Sequence, residues 1–114
     1  MNTREQIFEV VDLPLEKVEV PEWNTTIYVR GMTAAERDHW EMGIYGSKGE
    51  TRFENIRSRL VVLTACDEKG QRIFQDGDAD ELGKKNAKVV IRLFDIAQRL
   101  SAVAQKDVDE LTKN

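Results

Sequence analysis

From Leu15 to Met32 the chain reads LEKVEVPEWNTTIYVRGM, and its apolar residues fall on alternate positions. Val18 and Val20 alternate with Lys17 and Glu19, then Ile27 and Val29 with Thr26, Tyr28 and Arg30. A period of two turns one side of the backbone to an interior and the other to water, which is the signature of a half-buried strand. Pro21, Glu22, Trp23 and Asn24 divide the two runs. Proline sets φ at the first corner of a turn and asparagine tolerates a left-handed residue at its end, so the segment is predicted to be an antiparallel hairpin. Trp23 at its tip has two readings, a core-edge residue folded over one face or a partner contact. Two strands alone are marginal in water. After a turn at Lys69-Gly70, the run Arg72-Ile73-Phe74 is therefore expected to add a third strand.

Outside the hairpin the apolar spacing becomes helical. Thr3 with Gln6, Thr33 with Glu36 and Thr51 with Glu54 fit the capping box, in which a hydroxyl accepts the third amide of a helix and the longer side chain returns to the cap amide. The first helix carries Ile7, Phe8 and Val11, stops before Pro14, and is expected to be a weak, mobile segment within residues 1–14. The second has Trp40 and Ile44 one turn apart, with Glu36, Arg37, Asp38 and Glu41 facing water. From Thr51 the seam is Phe53, Ile56, Leu60 and Leu63, widened by Val61 and Val62. The longest run, from Asn86 onward, holds Val90, Leu93, Ala97, Leu100 and Ala104 on one stripe, with Val108 and Leu111 as a further apolar pair. Its wide apolar face suits either a core alone or a core plus a partner. The predicted fold is α+β, mainly α-helical with a small N-terminal antiparallel hairpin or sheet, in a single domain over residues 1–114.

Little in the chain looks like chemistry. Asp76, Asp78 and Asp80 in QDGDADELGKKNA sit two apart like the first ligands of a calcium loop. Such a loop needs glycine at its position 6 and a bidentate Glu at position 12, where this chain has Glu81 and Ala87. Asp78 with Glu81 instead reads as a helix cap. YGSKGET lacks the full spacing and the preceding strand of a phosphate loop. With His39 the only histidine and Cys66 the only cysteine, zinc sites and nucleophile triads of the usual kind have no ligands to assemble. The single cysteine, in a run expected to be buried, forms no internal disulfide and suits a reducing cytoplasm. A hydrolase would have to rely on carboxylates, all of which fall at caps, turns or polar faces. No catalytic, metal or cofactor site is assigned, and the chain is read as a non-enzyme. Its net charge of −4, with basic residues scattered, argues against nucleic acid. No stretch approaches a membrane span and the N-terminus has no signal-peptide pattern.

The runs VPEWNTTIYVRGMTAAERDHWE, RLVVLTACDEKGQRIF and LFDIAQRLSAVAQKDVDELTKN together resemble the tail assembly chaperones of long-tailed bacteriophages. The likeness spans about Leu15 to Asn114. It rests on Pro21 with Trp23, on Val29-Arg30-Gly31-Met32-Thr33 leading into Glu36-Arg37-Asp38, on the Asp67-Glu68-Lys69-Gly70 turn and on Asp107-Val108-Asp109-Glu110-Leu111. The resemblance implies a non-enzymatic factor of the host bacterial cytoplasm that coats the tape measure protein during tail assembly, associates with itself and is absent from the mature virion. It also implies a longer frameshifted form that recruits tail tube protein. Lys113-Asn114 is compatible with the codons AAA-AAC of a slippery site, so this chain is expected to be the short form. Trp40, Ile44 and Tyr45, with Val108 and Leu111, are the candidate partner-binding residues. The competing reading is a structural head-tail or tail component retained in the virion.

Overall fold

A computed structural model describes residues 2–45 and 53–102, the Tyr45 side chain excepted. In chain order the elements are α1 (Thr3–Glu9), β1 (Leu15–Val20), a 3-10 turn (Pro21–Trp23), β2 (Thr25–Arg30), α2 (Ala34–Tyr45), α3 (Ile56–Thr64), β3 (Ala65–Cys66), a second 3-10 turn (Asp76–Asp78), α4 (Ala79–Leu82) and α5 (Ala87–Leu100). The class is α+β, mainly helical, with a small antiparallel sheet near the N-terminus, as the sequence implies.

The hairpin forms where the alternation places it. Val18 lies opposite Ile27 and Glu16 opposite Val29, so the valines and isoleucine share the buried face. Asn24 closes the turn in the left-handed conformation at φ 52. Trp23 packs against the core from its edge. The third strand is not the expected 72–74 segment: Ala65 and Cys66 pair with Val29 and Tyr28, giving the order β1-β2-β3. α3 delivers these two small residues directly onto the free edge of β2, and both are buried there. Arg72 reaches the sheet only as a single bridge to Cys66, and Ile73 faces solvent. The intervening turn is the expected one, with Gly70 at φ +82, where a side chain would be strained, and Asp67 Oδ1 accepting the Lys69 and Gln71 amides at 2.8 and 3.0 Å.

α3 is buried on almost every side. Ile56, Leu60, Val61, Val62 and Leu63 are all interior, so it is the central helix, with α2, α4 and α5 packed around it. α5 supplies Val89, Val90, Leu93, Phe94 and Ala97 to the same core. Helix starts partly depart from expectation. α2 has its capping box, Thr33 Oγ1 accepting the Glu36 amide at 3.1 Å and Glu36 Oε1 the Thr33 amide at 2.9 Å. α1 is capped one residue early, by Asn2 Oδ1 on the Glu5 amide. α3 begins at Ile56 behind a left-handed Asn55, so Phe53 packs on the core from outside the helix; Thr51 lies outside the described residues. Asp78 turns its carboxylate back to the Gln75 amide at 2.8 Å and serves the 3-10 turn instead of capping α4. α5 stops at Leu100, with Ala102 left-handed at φ 56; the continuation of its stripe to Ala104 lies outside the described residues.

These elements meet around Arg30 and Gly31. Arg30 is buried, its guanidinium forked onto Glu36 at 2.7 and 2.8 Å while also donating to the carbonyls of Gly31 and Gly70 at 3.0 and 3.2 Å. Glu36, expected to face water, is thereby drawn under the end of β2. Burial pushes its carboxyl up, but the Arg30 fork and the Thr33 amide outweigh that and hold it below its ordinary 4.5. Gly31 donates to the Pro14 carbonyl at 3.1 Å, and a Cβ there would stand 2.8 Å from the Leu100 carbonyl. The Met32 amide donates to Ser101 Oγ at 3.0 Å, pinning the end of α5 to the same corner. Arg30→Met leaves Glu36 partly buried and unpaired, and is expected to cost about 3 kcal/mol in urea denaturation. Because the Glu36 carboxyl is depressed in the folded state, its contribution is present above pH 4.5 and is lost as pH falls below that value. An acid-unfolding midpoint unchanged in Glu36→Gln contradicts the assignment.

Candidate partner-binding surface

The residues expected to touch a partner divide sharply. Trp40 is 2% exposed and Ile44 fully buried, so in this conformation neither presents area to another molecule. The indole Nε1 donates to the Ile56 carbonyl at 3.2 Å, tying α2 to the start of α3. Trp40 and Ile44, one turn apart, form the inward face of α2 against α3, while Met42 points to solvent. Tyr45 is the last residue of α2, and Val108 and Leu111 lie outside the described residues. Beside Trp40 a small cavity of about 120 Å³ opens between α2 and α3, with His39 and Asp76 at its mouth. His39 is exposed, with Nε2 3.1 Å from Asp76 Oδ2. Arg72 binds the other oxygen of Asp76 at 2.7 Å and holds that carboxyl below its usual range. Among the described residues no group of three or more His, Cys, Asp or Glu is placed to hold a metal ion. Cys66 is interior, and burial pushes its thiol up, away from the reactive thiolate.

What faces water is apolar surface of another kind. α1 buries none of its residues, Ile7 being 62% exposed and Phe8 72%, and just past its end Val10 is 61% exposed and Val11 94%. The helix expected to be weak thus leaves its apolar side chains in solvent. Met42 on α2 and Ile91 on α5 add isolated exposed side chains. At the opposite end of the hairpin lies a cleft of about 390 Å³ lined by Trp23, Phe74 and Leu82, with Asp78, Glu81 and Lys85 around it. Next to Trp23, the Glu22 carboxylate is forked by Arg92 of α5. The Arg92 hydrogen bond holds the Glu22 carboxyl at about 2. Sequence reading missed this cleft because Trp23, Phe74 and Leu82 are brought together only by packing. The alternation of β1 and β2 signals no more than that Trp23 stands at a tip.

The fold and this surface define a small α+β domain with a closed core, apolar groups left in solvent and scattered surface charge of both signs. A family model described as phage tail assembly chaperone matches residues 14–114. The chain belongs to that family. A solved structure, that of the bacteriophage HK97 tail assembly chaperone, superposes with a TM-score of 0.65 at 20% sequence identity, over 90% of this chain and 97% of that one. That likeness is one of fold. No curated protein matches in sequence. No described helix is long and apolar enough to cross a membrane.

Two measurements check the surface as drawn. Trp40→Ala is expected to cost about 3–5 kcal/mol of stability, whereas Met42→Ala stays within about 0.5 kcal/mol; equal effects contradict the burial of the indole. Carboxyl NMR should find Glu22 titrating near 2 and moving back toward 4.5 in Arg92→Ala, with no change expected if the fork is absent in solution.

Proposed function

We propose that this chaperone binds the tape measure protein and keeps it from aggregating while the tail is built around it. An elongated helical client presents apolar stripes before the tail tube encloses it, and many copies of a small acidic domain shield such stripes reversibly. The observation that carries the reading is the family match over residues 14–114, on a domain whose core is complete without the client. Client contact is assigned to the C-terminal end of α2, where Met42 is 75% exposed and Tyr45 follows, together with Val108 and Leu111. Trp40 and Ile44 then hold that end of the helix from beneath. Weak contacts repeated along the client gain strength from association between copies. The protein acts in the host cytoplasm and leaves before the virion is complete. Recruitment of tube subunits falls to a longer frameshifted product, to be sought as an overlapping reading frame behind a slippery AAA-AAC.

Co-expression with the tape measure gene is the decisive experiment. The client is expected to move from the pellet to the soluble fraction, less so with Met42→Lys, and mass spectrometry of purified particles should show the chaperone missing. A client that stays insoluble, or a stoichiometric chaperone band in particles, overturns the reading.

A further inference from the structure

We propose that α1 is a docking arm which inserts into the Trp23–Phe74–Leu82 cleft of a second copy of this chain. The inference rests on the self-association part of the reading above and needs no client to be present. α1 precedes the region that the family model matches, which begins at residue 14. Ile7 and Phe8 lie exposed in the folded chain, and the cleft has an apolar floor open to solvent.

The two surfaces are complementary in charge as well as in character. Arg4 stacks on the Phe8 ring at 5.0 Å, making a cation beside an apolar knob, and Glu9 follows at the other end of the helix. Around the cleft, Asp78 and Glu81 offer carboxylates and Lys85 a cation. Seating Phe8 on Phe74 and Trp23 brings Arg4 to the carboxylates and Glu9 toward Lys85. Glu81 is held only by an exposed contact with Lys84 at 3.1 Å, which exchanges at little cost. Glu22, the remaining carboxylate near Trp23, is engaged by Arg92.

Chain length disfavours the arm's own cleft. Pro14 is fixed at the start of the hairpin by the Gly31 amide, and Trp23 lies beyond the far end of β1. A strand of that length covers roughly 20 Å. From Pro14 back to the Phe8 Cα an extended linker and the last turn of α1 reach about 17 Å. The arm's own cleft thus stands at the limit of a fully stretched linker, whereas a neighbour's cleft is met without stretching. Arm and cleft are different surfaces, so the contact is head to tail, leaving one arm and one cleft free at the ends of any open assembly.

Sedimentation of the full chain over a concentration series tests this. The wild type should associate, and Phe8→Asp and Glu81→Arg should each weaken association by about tenfold or more with unchanged circular dichroism, since both side chains are exposed. Mixing the two variants should give a one-to-one complex, because the first keeps its cleft and the second its arm. Emission from Trp23 should shift to the blue with association. A monomer at all concentrations, association untouched by Phe8→Asp, or a mixture that forms no complex overturns the proposal. So does a Phe8→Asp shift in Trp23 emission that is independent of concentration, which would place the arm in its own cleft. Association is read without client present, so its failure leaves client binding untouched, and a client left insoluble by the wild type leaves the association result untouched.

Discussion

The architecture depends on one buried cation. Arg30 ends β2 with its guanidinium inside the protein, and a buried guanidinium is tolerable only when its donors are satisfied. Glu36 takes the fork, and the carbonyls of Gly31 and Gly70 take the rest. Meeting that demand sets where α2 leaves the sheet and where the 67–70 turn folds back. Because Glu36 is also the returning side chain of the α2 cap, one carboxylate serves both a helix start and an ion pair. The adjacent Gly31 has no room for a side chain against Leu100, so the end of α5 closes on the same corner.

A core closed in this way leaves function to the surface. The central helix is enclosed, the tryptophan and isoleucine of α2 are spent on packing, and the thiol is sealed beneath the sheet. What remains outside is an apolar arm before the hairpin, a cleft beyond its tip and single apolar residues on α2 and α5. The hairpin separates arm from cleft. The proposed client contact at the end of α2 and the proposed contact between copies therefore use different parts of the molecule.

Several features were legible in the residues. Alternation from Val18 to Val29 marked the strands, Asn24 the left-handed corner and Thr33 with Glu36 the start of α2. Each is a local rule, acting within a few residues. The misreadings arose where contacts between distant segments took over. Arg72-Ile73-Phe74 has the composition of a strand, yet β2 had already been paired by Ala65 and Cys66, which α3 places there first. Thr3 and Asp78 fit caps by spacing, but Asn2 and the 3-10 turn claimed those roles through hydrogen bonds that spacing does not distinguish. Trp40 is a candidate contact by sequence, but α3 supplies the wall that buries it.

The amino-acid order by itself determined the fold class, the position of the hairpin and the poverty of catalytic groups, because periodicity, turn residues and the count of histidine and cysteine are properties of short stretches. Tertiary structure alone decided which apolar residues are used up in the interior and which are left over. Burial is a relation between segments far apart in the chain, so Ile7 and Phe8 resemble Trp40 and Ile44 in the sequence and differ only in whether another element arrived to cover them.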